Sequence, residues 1–354
     1  MKRLTILFTL IPFFAISQQT YVPDDNFEAY LEANGMCNGI ANDDYVTTSN
    51  ISGVTNLSVF LQNITNLTGI EDFAALTWLD CGSNQLTSLD VNNNTALTVF
   101  YCNNNQLTSL DVSNNTALTW LKCDDNQLTS LDVSNNTALN DLKCNNNQLT
   151  SLDVSNNTAL TYMRCYENQL TSLDVSNNFD LTNLECNNNQ LTSLDVSNNT
   201  ALIELWCNNN QLTCLNVKNG NNMNMFVAEN NPNLTCIEVD DPTWSTANWT
   251  VINSNIDAGV TFNTNCNYPT GCFATNITEN TNSINFYPNP TNDLITINIE
   301  GNNKPFNVEV YDFTGRLLQT TNNTTISLKD YPKGIYMLNV AYGDKVEQVK
   351  VVRE

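Results

Sequence analysis

The sequence predicts a mainly β protein, in which a solenoid of parallel sheets with a helical N-terminal cap is followed by an antiparallel β-sandwich. Seven cysteines recur every 21 residues inside near-copies of one motif, LTxLxCxxNQLTSLDVSNNTA. A repeat of fixed length indicates turns that stack only on their neighbours. An amphipathic segment before the repeats and about seven alternating segments after them predict the flanking elements. The recurring cysteines are Cys81, Cys102, Cys123, Cys144, Cys165, Cys186 and Cys207.

Residues 1–17 have the pattern of a secretory signal peptide. Lys2 and Arg3 precede an apolar run over residues 4–14. The small residues at 15–17 then form a cleavage site before Gln18. After the signal, no apolar run approaches the roughly twenty residues that a membrane span requires. We therefore expect an exported chain without a transmembrane segment.

Residues 18–56 are predicted to cap the first turn. Within them, residues 20–35 fit a short helix that begins with acidic residues and ends at Gly35. Phe27, Tyr30 and Leu31 lie on one side of this helix, which is expected to cover the open end of the stack. Apolar residues then continue the stacking pattern irregularly, as expected of terminal repeats. They are Ile51, Val54, Leu57, Ile64, Leu67, Ile70, Phe73, Leu76 and Leu79.

Each 21-residue unit, such as residues 118–138, divides into two halves with the same pattern, LxxLx(C/V)xxN. Alternate side chains of an extended segment face opposite sides, so Leu121 and Cys123 are predicted to point inward. Trp120 and Lys122 then point outward. The same alternation in the second half predicts two short strands in every turn.

One asparagine per unit lies where the chain turns inward after the first half. Its carboxamide can satisfy turn backbone groups that nothing else reaches, so we expect these side chains to belong to the scaffold. They are Asn105, Asn126, Asn147, Asn168, Asn189 and Asn210.

The first half of each unit resembles the leucine-rich-repeat pattern LxxLxLxxNxL, with cysteine in place of the third leucine. The resemblance covers residues 57–239 and implies a right-handed solenoid. The irregular units before residue 79 are similar to the entry repeats of internalin-like leucine-rich-repeat proteins. Strands about 4.8 Å apart place seven turns in a rod segment roughly 29 Å long. Identical residues of successive turns are then expected to form ladders.

The ladder cysteines are expected to be free thiols, although the compartment is oxidising. Neighbouring parallel strands hold Cβ atoms about 4.8 Å apart, whereas a relaxed disulfide needs roughly 3.8 Å. Buried cysteine then acts as a small apolar side chain. Five further cysteines lie off the ladder: Cys37, Cys214, Cys236, Cys266 and Cys272.

Disulfides among these five cysteines can seal the far end of the stack. Cys236 with Cys266 is the first candidate pair, and Cys214 with Cys236 is the second. Because five is odd, one thiol remains.

The composition excludes several classes of function. The chain has no histidine, which removes Ser-His-Asp and Cys-His catalysis and all histidine metal sites. The signal contributes two basic residues and residues 281–354 contribute 7 basic and 8 acidic ones, so of the total charge of −23, residues 18–280 carry −24. This field repels nucleic acid and anionic lipid. We expect no nucleic-acid partner and no cofactor.

Variation between units is concentrated on the outward side of the first half. A surface that meets only water is expected to drift equally on both sides, so this asymmetry indicates a recognition surface. The residue before each cysteine is Asp80, Tyr101, Lys122, Lys143, Arg164, Glu185 and Trp206 in turn, and the residue three before it is Trp78, Val99, Trp120, Asp141, Tyr162, Asn183 and Glu204. In the second half one aspartate recurs unchanged, as Asp90, Asp111, Asp132, Asp153, Asp174 and Asp195.

Lys122, Lys143 and Arg164 are the only basic residues between Asn50 and Val217, and they fall in one column. Aromatic and cationic side chains are frequent anchors at interfaces. The candidate ligand-binding residues are Trp78, Tyr101, Trp120, Lys122, Lys143, Tyr162, Arg164, Tyr166 and Trp206. The alternative is that drift placed the cations there and that nearby acids neutralise them, namely Asp124, Asp125, Asp141 and Glu185.

The recurring aspartates have two interpretations. Carboxylates about 4.8 Å apart repel by roughly 0.9 kcal/mol even at the dielectric constant of water. In the first interpretation they are solvated, bind no metal and have a raised proton affinity. In the second, divalent cations such as Ca²⁺ bridge the ladder through oxygen ligands. The ligands would be Asp111, Asp132, Asp153 and Asp174.

Residues 240–282 are predicted to close the last turn, with Trp244 and Trp249 as apolar cover, and to continue as a polar linker from Asn267 to Asn282. Residues 283–354 then alternate in about seven short segments, which predicts an Ig-like antiparallel β-sandwich. The predicted strands are 284–287, 294–300, 306–313, 316–320, 326–328, 334–340 and 345–352.

The motifs of this last region resemble the C-terminal sorting domain of proteins exported by the type IX secretion system. They are YPNP at 287–290, VEVYDFTGRLL at 308–318, LKDYPKGIYMLNV at 328–340 and the terminal EQVKVV. The resemblance implies that residues 283–354 engage the export machinery and are then removed, which leaves a passenger that has crossed the periplasm and is secreted or attached to the outer surface. The alternative is an ordinary adhesion sandwich.

These features together predict a monomeric, exported binding or adhesion protein, not an enzyme, whose cysteine-side sheet recognises a protein or a glycan. A passive spacer or surface-layer component is the alternative, and it would tolerate charge reversal where a receptor would not. A hydrolase would need a carboxylate pair in a cleft, whereas the acids here fall on exposed ladders.

Overall fold

The structure is a computed structural model that describes residues 18–269, 272, 284–287, 291, 293–299, 306–312, 316–342 and 345–353. The predicted signal peptide and most of the predicted linker lie outside the described residues. The chain divides into two compact units, residues up to 273 and residues from 274 onward.

A cap of short elements begins the first unit. Helix α1 (Asp25–Ala33) has the predicted apolar side, with Phe27 and Leu31 fully buried. Gly35 follows the helix with a φ of 77°, a conformation that glycine adopts without strain. The sequence does not predict the antiparallel pair of strands beside α1, because each has only three residues. The other cap elements are β1 (Gln19–Tyr21), β2 (Tyr45–Thr47) and α2 (Thr48–Ile51).

Asp24 joins this cap to the first turns of the solenoid. One carboxylate oxygen accepts hydrogen bonds from the backbone amides of Asn26 and Phe27, both at 3.1 Å, and so caps α1. The other accepts from the backbone amide and the hydroxyl of Thr65, at 2.8 and 2.7 Å. A single side chain therefore orients the helix over the open end of the stack.

The first halves of the units form a parallel sheet of nine strands. Its register places equivalent residues opposite one another, for example Lys122 opposite Lys143 and Lys143 opposite Arg164. The prediction that copies one unit apart lie directly over one another is confirmed. The strands are β3 (Asn56–Ser58), β4 (Trp78–Asp80), β5 (Val99–Tyr101), β6 (Trp120–Lys122), β7 (Asp141–Lys143), β8 (Tyr162–Arg164), β9 (Asn183–Glu185), β11 (Glu204–Trp206) and β13 (Met225–Val227).

The prediction of two strands in every turn is wrong for most units. Second halves form a parallel sheet only from residue 193 onward. Between residues 87 and 175 they exchange no backbone hydrogen bonds with each other, and their leucines, such as Leu131 and Leu152, are 6–8% exposed. A ladder needs strands about 4.8 Å apart, and here solvent reaches between the turns. The strands of the second sheet are β10 (Ser193–Asp195), β12 (Cys214–Asn216), β14 (Cys236–Glu238) and β15 (Thr261–Asn263).

The interior of the solenoid is apolar and contains the ladder cysteines, all fully buried and unbridged. Burial raises the pKa of Cys144 to about 12, so this thiol stays protonated at ordinary pH. The Cys144 thiol donates to the carbonyl of Arg164 in the next turn, at 3.5 Å. The predicted scaffold role of the turn asparagines is also confirmed, since each bonds to backbone groups of two successive turns.

A second asparagine ladder, which is not among the predicted scaffold residues, lies deeper in the structure. These side chains are fully buried, and each donates its amide hydrogens to two backbone carbonyls of the preceding turn. They therefore hold successive turns together at the point where the second half ends. They are Asn115, Asn136, Asn157, Asn178 and Asn199.

The far end of the stack is closed by α3 (Pro242–Asn248), by Trp249 and by two disulfides. Trp249 packs on the ring of Phe226 with centroids 4.2 Å apart, in agreement with its predicted role as apolar cover. Cys236 is bridged to Cys266, as in the first candidate pairing. The second pairing is wrong, because Cys214 is bridged to Cys272 instead. Cys37 is the remaining free thiol off the ladder.

The second unit is an antiparallel sandwich whose strands agree with all seven predicted segments. Its core draws on both sheets and includes Ile295, Val308, Ile326 and Leu338. One sheet contains β16 (Ile284–Tyr287), β17 (Leu294–Ile299) and β20 (Thr325–Ser327), and the other contains β18 (Phe306–Asp312), β19 (Leu317–Thr321), β21 (Gly334–Tyr342) and β22 (Lys345–Arg353).

Candidate functional site

The outward side chains of β4 to β9 and β11 form one continuous strip, which we call the variable face. Two columns of side chains run along it in the register of the sheet. The alternation of each strand buries its middle residue and leaves the two flanking residues outside. The residues that differ between units therefore lie side by side on one surface.

A cavity of about 190 Å³ opens in the middle of the variable face. Its walls include the aromatic rings of Tyr101 and Trp120, and Trp120 is 47% exposed. Lys122, Asp141 and Lys143 supply two ammonium groups and one carboxylate. The cavity is smaller than the roughly 300–1,000 Å³ of an ordinary ligand pocket, so it has room for one anchoring group of a larger ligand.

The neighbouring turns hold a packed cluster around Tyr162. The ammonium of Lys143 and the guanidinium of Arg164 lie 5.2 and 5.1 Å from the centre of its ring. Arg164 Nε donates to Glu185 Oε1 at 2.7 Å, and the Tyr162 hydroxyl donates to the same oxygen at 3.1 Å. Burial, and then the charge of Glu185, raise the pKa of Tyr162 to about 12. This phenol therefore stays protonated and acts as a donor.

Two of the three predicted cations are neutralised within the face, as the alternative interpretation has it. Lys143 Nζ lies 3.7 Å from Asp141 Oδ2, and Arg164 is paired with Glu185. Within the part of the chain that the structure describes, Lys122 has no carboxylate at ion-pair distance. Among the described residues, Lys122 is thus the one cation of the face without a direct ion pair, and it lies at the cavity. Burial raises the pKa of Asp124 and of Asp141, and the Lys122 ammonium opposes this rise from a longer distance.

The other predicted residues are more dispersed. Trp78 contacts Tyr101 edge to face, with ring centroids 6.1 Å apart, and extends the aromatic wall of the cavity by one turn. Trp206 lies two strands beyond Arg164 in the register and makes no ring contact with the other aromatic residues of the face. Tyr166 follows the end of β8 and lies at the margin of the strip.

Asp124 is predicted from the sequence only as a neutralising group for the cations. It is 8% exposed, and its Oδ1 has no hydrogen-bond donor. Burial raises the pKa of Asp124 to about 6, against the effect of the Lys122 ammonium and with a contribution from Asp125. Other units have asparagine here, for example Asn103 and Asn145.

Asp124→Asn is expected to stabilise the protein at neutral pH by about 1–3 kcal/mol. The folded-state pKa lies above the unfolded value, so folding favours the protonated acid and the cost of ionisation grows as the pH rises from about 4 to about 6. Urea unfolding of the variant and the wild type at pH 4 and pH 7.5 measures the change in stability. The substitution Asp180→Asn, at an exposed position, is the control for net charge. An equal effect of Asp124→Asn at both pH values would contradict the assignment.

The Ser-Asp-Ser face consists of the outward residues of the second halves, and here the expected rise in proton affinity is wrong. Asp111, Asp132 and Asp153 each accept the backbone amide hydrogen of the serine two residues on, at 2.9 Å. Hydrogen bonds from this serine, first from its side chain and then from its backbone, lower the pKa of each carboxyl. In the described residues no group of three or more histidine, cysteine or acidic side chains is placed to hold a metal ion.

Comparison with known protein families identifies the second unit. Residues 285–354 match the family described as the secretion system C-terminal sorting domain. The tail is a sorting domain. With it, the protein is secreted or displayed on the outer cell surface, and within the described residues no helix is long and apolar enough to cross a membrane.

Comparison with solved structures identifies the fold of the passenger that the sorting domain follows. The functional domain of InlJ from Listeria monocytogenes, described as including a cysteine ladder, is 37% identical, with a TM-score of 0.57, and the match covers 63% of this chain and 52% of that one. The chain thus spans about half the length of that structure. The solenoid has the leucine-rich-repeat fold of the internalins.

Two further internalins of the same organism are more distant. Internalin InlF is 21% identical, with a TM-score of 0.48 over 68% of this chain and 88% of that one. Internalin C2 is 22% identical, with a TM-score of 0.46, and the match covers 70% of this chain and 100% of that one. No curated protein matches the sequence.

Proposed function

We propose that the passenger is a recognition or adhesion module that binds its ligand through the variable face. One observation carries the proposal: side chains that differ between otherwise identical units project from a single sheet in strict register. In the five units from β5 to β9 the Ser-Asp-Ser face repeats the same residues, whereas the outward residues of the first halves differ. Selection for stacking alone would act equally on both faces. We therefore explain the variation on one face by contact with a partner on that face.

The chemistry of the variable face supports this interpretation. Its central cavity combines an exposed tryptophan with an ammonium group that has no direct ion pair in the described part of the chain. Side chains of this kind dominate the energy of interfaces when they fill desolvated pockets. A catalytic role has no support from the same geometry. The Cys144 thiol is protonated and buried, Tyr162 keeps its proton, and the carboxylates of Asp141 and Glu185 are paired with cations.

Charge reversal on the variable face tests the proposal. Lys122→Glu combined with Arg164→Glu is expected to weaken binding to native cell-surface material by at least about 30-fold, since each change removes an anchor and adds a repulsive charge. The measurement is retention of the purified full-length protein on immobilised glycans and on surface protein extracts. Lys218→Glu, which reverses an exposed charge in a different part of the solenoid, is the matched control.

The same experiment separates a receptor from a passive spacer. A spacer would retain whatever contacts it makes after charge reversal in the variable column. Equal retention of the double variant and the Lys218→Glu control would therefore contradict a recognition role for this face.

A further inference from the structure

The dimensions of the variable face limit what can cover it. Seven strands spaced about 4.8 Å apart give a strip about 29 Å long, and three-residue strands make it about 10 Å wide. Its area of roughly 300 Å² is less than half of the roughly 800 Å² that each partner contributes to a standard protein–protein interface. The strip therefore fits a linear chain that runs along the solenoid better than it fits a globular partner.

The backbone of the sheet offers nothing to a linear peptide. Strands β4 to β9 and β11 are each hydrogen-bonded to a neighbour on both sides. A peptide cannot pair with these strands in the way that peptides add to a free sheet edge. Recognition depends on side chains alone, and a glycan meets that condition because its rings have apolar faces and its hydroxyl groups lie at the ring edge.

The side chains of the strip match the surface of a sugar chain. Three of the five tryptophans of the protein project from it, at Trp78, Trp120 and Trp206. Flat aromatic rings can lie against the apolar faces of sugar rings. Carboxylate and amide groups for the hydroxyls lie between the tryptophans: Asp80, Asp141, Asn183, Glu185 and Glu204.

The charge at the cavity indicates which kind of sugar binds there. Lys143 is paired with Asp141, whereas Lys122 has no carboxylate at ion-pair distance in the described part of the chain, so its ammonium can form a direct ion pair with a ligand at the cavity. The complementary substituent of a sugar ring is a carboxylate. The field of the remaining chain opposes a ligand that is charged at every ring, because residues 18–280 carry −24. In the ligand, acidic sugars are therefore separated by neutral sugars.

We propose that the variable face binds a linear glycan in which uronic acids alternate with neutral sugars. One carboxylate binds the ammonium of Lys122 in the cavity, and the ring lies against Trp120. This inference rests on the proposed function, since it names the ligand class of the same face.

The test uses a hyaluronan hexasaccharide and the same oligosaccharide after reduction of its carboxyl groups to primary alcohols. Calorimetric titration of the full-length protein at low salt is expected to show about tenfold tighter binding of the acidic form. Lys122→Gln is expected to remove most of this difference, and Trp120→Ala to weaken both forms. Lys218→Gln is the matched control and leaves both affinities unchanged.

Equal affinity for the two oligosaccharides, or binding of neither, would overturn the glycan proposal. So would tighter binding of an acidic peptide than of the hexasaccharide. These outcomes leave the proposed function standing if charge reversal at Lys122 and Arg164 still abolishes retention on cell-surface material. If that retention also persists, the recognition role of the face fails as well.

Discussion

Replacing Asn147 by alanine is expected to lower the free energy of unfolding by about 3–5 kcal/mol, because one side chain satisfies four backbone groups. Its Oδ1 accepts the amide hydrogen of Leu128 at 2.9 Å. Its Nδ2 donates to the carbonyls of Cys123 and Cys144, both at 3.1 Å, and to that of Asn145 at 3.2 Å. These partners belong to two successive turns, and in a solenoid each turn is held only by its neighbours.

Urea unfolding monitored by circular dichroism measures the effect. Asn156→Ala is the matched control, since Asn156 is exposed and makes one long hydrogen bond, 3.4 Å to the carbonyl of Ser134. Its loss is expected to change stability by less than about 0.5 kcal/mol. Similar losses for the two variants would mean that the ladder asparagines are not what joins the turns.

The strict 21-residue period explains why the sequence predicts so much of the passenger. Once Cys123 is assigned to the interior, alternation and the period fix the position of every equivalent residue, including Lys122 and Lys143 in one outward column. The variable face follows from the repeat alone. So does the buried thiol ladder, because a strand spacing of about 4.8 Å is too wide for relaxed disulfides.

The second halves show where local sequence stops being informative. Ser-Leu-Asp occurs at residues 172–174 without forming a strand, and the same three residues at 193–195 form β10. The difference comes from the next turn, since β10 pairs with Cys214–Asn216 and that segment is tied by a disulfide to Cys272. Tertiary context decides the state of a sequence whose own preference is weak.

Electrostatic pairing within the variable face is a further property that the repeat does not determine. The period places three cations in a column, but side-chain rotamers decide that Lys143 meets Asp141 while Lys122 meets no carboxylate in the described structure. Burial of Asp124 likewise depends on how tightly the turns beside it pack. The column could be predicted from the sequence, whereas coordinates were needed to show that Lys122 has no direct ion pair within the described residues.

Removal of the Cys236–Cys266 disulfide is expected to destabilise the passenger by about 3–4 kcal/mol. The bridge closes a loop with a sequence separation of 30 residues, and a cross-link of that span restricts the unfolded chain by about this free energy. The double variant Cys236→Ala with Cys266→Ala is compared with Cys37→Ala, which removes an unbridged thiol. Urea unfolding under oxidising conditions measures the difference between them.

Because the bridge lies at the end of the solenoid, its removal is expected to destabilise that end most. The last turn of a solenoid lacks a neighbour on one side. Its cap therefore has to supply the contacts that other turns make with a neighbouring turn. Hydrogen exchange is therefore expected to accelerate first in β14 and β15, which the bridge holds together, and least in β7 at the middle of the nine-stranded sheet. A reductant should reproduce the effect in the wild type and change the double variant less, since only the Cys214–Cys272 bridge remains there. Uniform acceleration along the solenoid, or unchanged unfolding of the double variant, would show that the end is sealed by α3 and Trp249 without the bridge.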